Sequence, residues 1–396
     1  MRKLVTLLAV TLIVGVIPMI ASGARPEPVR FATFNASLNR FNAGDLADDL
    51  STPHNAQAQV IAEIIQRTRP DVVLINEFDF DPVAVDRFRD NYLEVSQGGA
   101  DPIFYGHDFI APSNTGIPSG FDLNNNGVVG GPDDALGFGF FPGQFGMVVY
   151  SRYPIVETRT FQKFLWNDMP GALLPIDPAT GDSWYSPDEL EVFRLSSKSH
   201  WDVEIQIGRS QVHFLVSHPT PPVFDGDEDR NGTRNNDEIR FWADYVIPSR
   251  SGYIYDDDDV VGGIETGEPF VIAGDQNSDP LDGDSIPGSI QQLLDHPLVN
   301  DKSTPISTGG VWASQTQGGA NLTHLSDPGE DTADFSDIAP GNLRADYVLP
   351  SKHLRIVDSA VFWPAEGEPF FELTGVFPFP SSDHRLVWVD VLVPGR

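Results

Sequence analysis

Short runs of alternating apolar and polar residues recur along most of this chain. Residues 29–34 read as a strand, and the spacing of Val60, Ile61, Ile64 and Ile65 predicts a helix over 56–67. Pro70 breaks that pattern, and Asp71-Val72-Val73-Leu74-Ile75 follows as a short buried strand. Further strands are expected over 146–150, 204–207, 211–216, 269–273, 347–349 and 386–392, with helices over 238–246 and 289–294. Between them lie stretches rich in Gly, Pro, Asp and Asn, roughly 96–145, 165–190, 219–237 and 300–342. Loops of that length in a compact domain usually carry function or are ordered by metal. No linker divides the chain and no repeat recurs, so one elaborated domain is expected over 25–396.

The N-terminus changes this picture. Arg2 and Lys3 precede an apolar run over 4–20, and Ala21-Ser22-Gly23-Ala24 then offers small residues for cleavage. Residues 1–24 therefore read as a signal peptide, which places the mature protein outside the cytoplasm, secreted or periplasmic. The run sits at the lower limit of a membrane span and no other segment approaches that length, so no transmembrane anchor is expected after processing. Cysteine is absent, which excludes disulfides, thiolate metal sites and cysteine nucleophiles. Long loops in such a chain need another means of support, and bound divalent cations are a candidate. The net charge of -32, from 25 basic and 57 acidic residues, repels polyanions. No stable nucleic-acid complex is expected from it. The acidity serves solubility, clustered metal-binding carboxylates, or both.

Five segments place polar residues at the ends of apolar strands. Asn35 closes Arg30-Phe31-Ala32-Thr33-Phe34, and Glu77 closes Val72-Val73-Leu74-Ile75-Asn76. His218 ends Val212-His213-Phe214-Leu215-Val216-Ser217, and Gly274-Asp275-Gln276-Asn277 follows the apolar run over 269–273. The fifth segment pairs Arg344-Ala345-Asp346 with Ser381-Ser382-Asp383-His384. Strand side chains two apart share a face, so Asp275 and Asn277 are expected to converge on one small target. Taken singly, each motif reads as readily as a strand-end turn.

In this order, together with Ser151-Arg152-Tyr153-Pro154-Ile155, the set resembles the endonuclease/exonuclease/phosphatase superfamily over about residues 29–393. The resemblance implies a DNase I-like α/β (α+β) fold, a four-layer sandwich of two mixed, mainly antiparallel β-sheets flanked by helices. It implies a hydrolase of phosphoesters: a phosphodiesterase, nuclease or phosphatase using Mg²⁺ or Mn²⁺. By resemblance Glu77 is the principal metal ligand, helped by Asn35 and Asp383. Asp275 would orient or deprotonate the attacking water and Asn277 would hold that water or a phosphoryl oxygen. His218 and His384 would stabilise the phosphoryl charge, and Asp346 would pair with His384. Family members often carry Gln-Glu where this chain has Asn76-Glu77, and Asn-His where it has Ser217-His218. The carboxylate that supports the first histidine in DNase-like nucleases has no placeable counterpart. Lys198 and His200, on an element leading towards the set, are weighed as substrate contacts against an ordinary surface loop.

Two segments have calcium-loop spacing. In 227–238, Asp227, Asp229, Asn231, Thr233 and Glu238 fall where an EF-hand loop has ligands, with Gly232 at the turn, although no incoming helix precedes it. In 122–133, Asp122, Asn124, Asn126, Val128 and Asp133 match a dockerin-type loop of lower charge. Structural Ca²⁺ is therefore expected beside the catalytic ion. The substrate stays open between small-molecule, lipid-linked and nucleic-acid phosphoesters, and a monomer is expected. The rival reading is a catalytically silent secreted calcium-binding module of the same fold. The completeness of the eight-residue set argues against it.

Overall fold

The computed structural model describes residues 27–396; the signal peptide expected over 1–24 lies outside the described residues. In chain order the main elements are β1 (Val29–Leu38), α1 (Asp45–Asp49), α2 (Ala56–Thr68), β2 (Val72–Phe78), α3 (Pro82–Phe88), β3 (His107–Phe109), β4 (Met147–Ser151) and β5 (Ile155–Thr160). Then come α4 (Pro187–Leu190), β6 (His200–Ile207), β7 (Ser210–Ser217), α5 (Arg230–Tyr245) and β8 (Phe270–Asp275). The chain closes with the two-stranded pair β9 (Ala333–Asp334) and β10 (Asn342–Leu343), then β11 (Asp346–Pro350), β12 (Arg355–Val361) and β13 (Val387–Leu392).

Two open sheets result, with orders β12-β13-β1-β2-β4-β3 and β11-β8-β7-β6-β5. The β1–β2 and β7–β8 pairs are parallel and the remaining neighbours antiparallel. Alternation along β1 explains the layering. Val29 and Phe31 face the apolar seam between the sheets, where they meet Phe214 and Val216, whereas Ala32 and Phe34 face α2. The outer face of the second sheet is covered by α5 through Ile239, Phe241, Trp242 and Tyr245. The four layers are therefore helix, sheet, sheet, helix, as the resemblance implied. No helix among the described residues is long and apolar enough to cross a membrane.

Local chemistry sets the boundaries. The Asn55 side chain caps α2 by accepting the Ala58 N–H, and Arg69 ends it in a left-handed conformation just before Pro70. Two expectations change. β1 and β2 run past their apolar cores to include Asn35 and Glu77, with an irregularity after Asn35. The helix expected over 238–246 starts at Arg230, because Arg234, Asn235 and Glu238 continue its buried face backwards. The short β3, the largely exposed β5 and β12 carry too few buried apolar residues to have been read as strands.

Candidate active site

The strand ends of both sheets converge at one end of the sandwich. Asp275 closes β8, and Asp346 opens β11 directly opposite it in the antiparallel register. Gly274 makes this approach possible. Its φ is +144°, and a Cβ there would lie 1.9 Å from the Ser217 carbonyl oxygen, so only glycine lets β8 close onto the Ser217-His218 turn.

Asp275 Oδ2 is the hub of a buried polar cluster. It accepts from Asn35 Nδ2 at 3.0 Å and stands 3.4 Å from His218 Nε2 and 3.6 Å from His384 Nε2. Its other oxygen accepts the Asn277 N–H at 2.9 Å. His384 Nδ1 donates to Asp346 Oδ2 at 2.8 Å, and the Thr332 hydroxyl donates to the same oxygen at 2.9 Å. That hydroxyl also accepts the N–H groups of Ala345 and Asp346.

The cluster's electrostatics separate the two histidines. Burial alone would lower the His384 pKa, but Asp346 and Asp275 raise it well above the usual imidazole value. Burial pushes His218 well below that value, and the nearby Lys198 and His384 add to the effect. Burial also raises Asp275 to about 6, with His384 and the Asn35 amide pulling down and Asp346 pushing up. A cationic and a neutral imidazole thus face one carboxylate.

Glu77 sits beside this cluster, half-buried and in a left-handed conformation with φ of 57°. Burial raises its carboxyl above the ordinary value, against opposing effects from His384 and the Asn35 amide. Apart from Asn35, nothing donates to it among the described residues. The half-buried Asp383 is near enough to raise it further, and meets only the Ser37 and Ser382 hydroxyls, each at 3.4 Å. Two carboxylates with so little compensation fit a hard divalent cation, while Asn35 turns its amide nitrogen to the cluster and its oxygen accepts the Ser37 N–H at 3.2 Å. Asp275, Asp346 and His384 also bring one ligand atom each within 4.8 Å of one another. There, however, Asp346 Oδ2 is already engaged by His384 and Thr332, while its Oδ1 has no partner among the described residues and His384 Nε2 stands 3.6 Å from Asp275, an ion-pair distance.

The expected set from Asn35 to His384 therefore comes together, with one correction. Asn277 does not share a strand face with Asp275, because β8 ends at Asp275 and Asn277 is left-handed at φ 51°. Its side-chain amide donates to the Pro219 carbonyl instead. Lys198 is buried with Glu77 and Asp275 among its charged neighbours. His200 is not at the site: its ring bonds the Ser196 hydroxyl and the Glu238 carbonyl beneath α5. Two participants went unread. Asn76 Oδ1 accepts the Asp275 N–H, and Thr332 supports Asp346 from a long loop with no motif to mark it.

The calcium loop expected over 227–238 is not formed. Helix α5 begins at Arg230, which sets Asn231, Thr233 and Glu238 at helical spacing over about two turns instead of along a loop, and the Thr233 N–H bonds the Asp229 carbonyl one turn back. Both Glu238 oxygens are taken, by the Ser197 and Thr220 N–H groups at 2.6 Å each. The segment 122–133 does remain a turn, in which Asp122 accepts the Asn126 and Gly127 N–H groups, and Asn124 and Asn126 bond the chain two residues on. The exposed Asp133 does not close it. Asp134 does, by accepting from Leu123 and Gly130, while Val128 stays exposed.

No curated protein sequence matches this chain. Among solved structures, it is similar to an endonuclease/exonuclease/phosphatase from Beutenbergia cavernae, with 17% identity, 93% of this chain and 72% of that chain covered, and a TM-score of 0.48. It is also similar to sphingomyelinase C from Streptomyces griseocarneus, with 13% identity, 92% and 99% covered, and a TM-score of 0.47. A truncated TDP2 from Caenorhabditis elegans gives 12% identity, 92% and 98% covered, and a TM-score of 0.44. The family model for the Endonuclease/Exonuclease/phosphatase family matches residues 32–384. With nearly the whole described chain inside that match, the protein belongs to the Endonuclease/Exonuclease/phosphatase family, a family of phosphoester hydrolases.

Proposed function

We propose that this protein is an exported, divalent-metal-dependent phosphoester hydrolase in which Asp275 activates the attacking water. One observation carries the reading: a single buried carboxylate oxygen stands 3.4 and 3.6 Å from the Nε2 atoms of two imidazoles whose surroundings push their pKa values in opposite directions. The Asn277 N–H and the Asn35 amide fix the Asp275 carboxylate, so that it can take a proton from water in a set direction. His384, kept cationic by Asp346, presents Nε2–H to the phosphoryl oxygens as their charge grows. Neutral His218 supplies a second hydrogen bond from the adjacent strand end. Glu77, Asn35 and Asp383 are the residues that would hold a Mg²⁺ or Mn²⁺ ion, which would polarise the phosphoryl group and offset charge on the leaving oxygen. Export is read from the N-terminal pattern alone, and sequencing the mature protein from culture medium or periplasm should find Arg25 first.

The deciding experiment is hydrolysis of bis(p-nitrophenyl) phosphate, p-nitrophenyl phosphate and plasmid DNA with Mg²⁺, Mn²⁺ or Ca²⁺. Asp275→Ala and His384→Ala should each lower kcat/KM by about 10²–10⁴-fold. Absence of turnover on every substrate, or full activity in both variants, would sink the reading and favour a silent module.

A further inference from the structure

A cavity of about 480 Å³ opens beside the cluster, reaching Glu77, Lys198 and His218 at one end. That volume is the size of a small-molecule site. Its walls are aromatic: Phe138, Phe145, Tyr185, Phe193 and Phe224 line it. Phe138 and Phe224 are 49% and 87% exposed, so the aromatic wall leaves ring surface open for an apolar group to cover.

Three cations border the cavity, and two are committed. Arg234 donates to the carbonyls of Leu195, Leu136 and Arg194, and Arg230 is paired with Glu228. Lys198 is different. It is 93% buried, since only 7% of its surface is exposed, yet its ammonium makes no hydrogen bond or ion pair among the described residues. Its position is nevertheless built. The Lys198 carbonyl accepts the Asn114 N–H at 2.8 Å, and the neighbouring Ser197 N–H is held by Glu238. A buried ammonium with no direct oxygen partner can contact an anionic ligand oxygen, with Glu238, Glu77 and Asp275 near enough to favour its charged form against burial. In this cavity that anion lies next to aromatic rings.

We propose that Lys198 and the aromatic cavity form one substrate subsite, in which Lys198 contacts phosphoryl oxygens and the rings hold an apolar, ring-sized ester group. This rests on the phosphoesterase reading and narrows it to small phosphoesters of apolar alcohols. A duplex groove would need an open basic track along the surface. A cationic headgroup would be placed against Lys198.

Two inert probes of equal charge, methylphosphonate and phenylphosphonate, test the subsite by calorimetric titration of the full-length mature protein with Mg²⁺ present. Phenylphosphonate should bind about ten-fold tighter or more, the effect expected from burying one ring. Phe138→Ala should shrink that preference. Lys198→Met should weaken both phosphonates by about ten-fold or more, while Lys198→Arg stays within a few-fold of wild type. Equal binding of the two probes overturns the apolar pocket, and unchanged binding by Lys198→Met overturns the role of Lys198. Hydrolysis assays report separately. An active enzyme indifferent to the phenyl group keeps the phosphoesterase reading and loses the subsite. An inactive chain that prefers phenylphosphonate keeps the subsite and loses the hydrolase.

Discussion

Asp275 is held in one orientation by its neighbours, and the residue that makes this possible has no side chain. Any Cβ at 274 meets the Ser217 carbonyl at 1.9 Å, on a backbone with positive φ. Gly274→Ala should therefore push β8 away from the His218 turn. A loss of about 3 kcal/mol or more in urea unfolding is expected, from overpacking plus strain. The remaining folded protein should have reduced kcat with a smaller change in KM, because positioning and not binding is disturbed. At this scale, Asp275 and His218 were legible because each follows an apolar strand, and His384 because it stands just before the last one. Thr332 was not. Its hydroxyl supports Asp346 from a loop whose sequence carries no period or motif, and only the folded geometry brings it there. Thr332→Val removes that donor and the acceptor for two backbone N–H groups. It should lower turnover by about ten-fold through looser positioning of Asp346 and His384, readable in kcat/KM.

Between residues and fold, the instructive element is α5. Spacing of oxygen side chains suggested a calcium loop over 227–238, and the same residues instead continue a helix. A loop pattern counts potential ligands, whereas the competing pattern, Asn235, Glu238, Ile239 and Trp242 on one buried face, counts what must leave water. The second pattern prevails because α5 covers the second sheet. Glu238 consequently acts as a fastener: each carboxylate oxygen accepts one backbone N–H, from Ser197 and from Thr220, on segments that flank the site. Glu238→Gln can satisfy only one of those donors, and should cost about 2 kcal/mol in chemical denaturation. The exposed Asp227→Asn should change stability by less than about 0.5 kcal/mol, and neither variant should alter the thermal response to added calcium. A calcium-dependent melting shift that Asp227→Asn abolishes would restore the loop reading.

At the scale of the whole molecule, the central strands were legible because they are apolar on both faces and the four-layer sandwich came from the resemblance carried by the motifs at their ends, while the polar edge strands β5 and β12 escaped notice. The same layering buries titratable groups, which makes stability depend on pH in opposing ways. Burial raises Asp79 to about 7 and Asp331 to about 8, so these acids oppose the folded state increasingly as pH climbs from about 4 towards those values, and the loss is complete above them. The net charge of -32 also relaxes on acidification. His200 works in the other direction. It lies between β6 and α5, tilted against Phe241 and Trp242 and bonded to the Glu238 carbonyl, and burial lowers its pKa to about 4. A depressed folded-state pKa means that its contribution is complete above the unfolded value of about 6.5 and is lost as pH falls towards 4. Those two values correspond to about 3 kcal/mol. Because the acids mask this loss in the wild type, the measurement is a difference. The stability advantage of wild type over His200→Asn, followed by denaturant unfolding, should shrink by about 3 kcal/mol between pH 7 and pH 4. A constant difference across that range would mean that His200 stays protonated or solvated in the folded state, and that α5 packs less tightly on the second sheet than its buried aromatic face indicates.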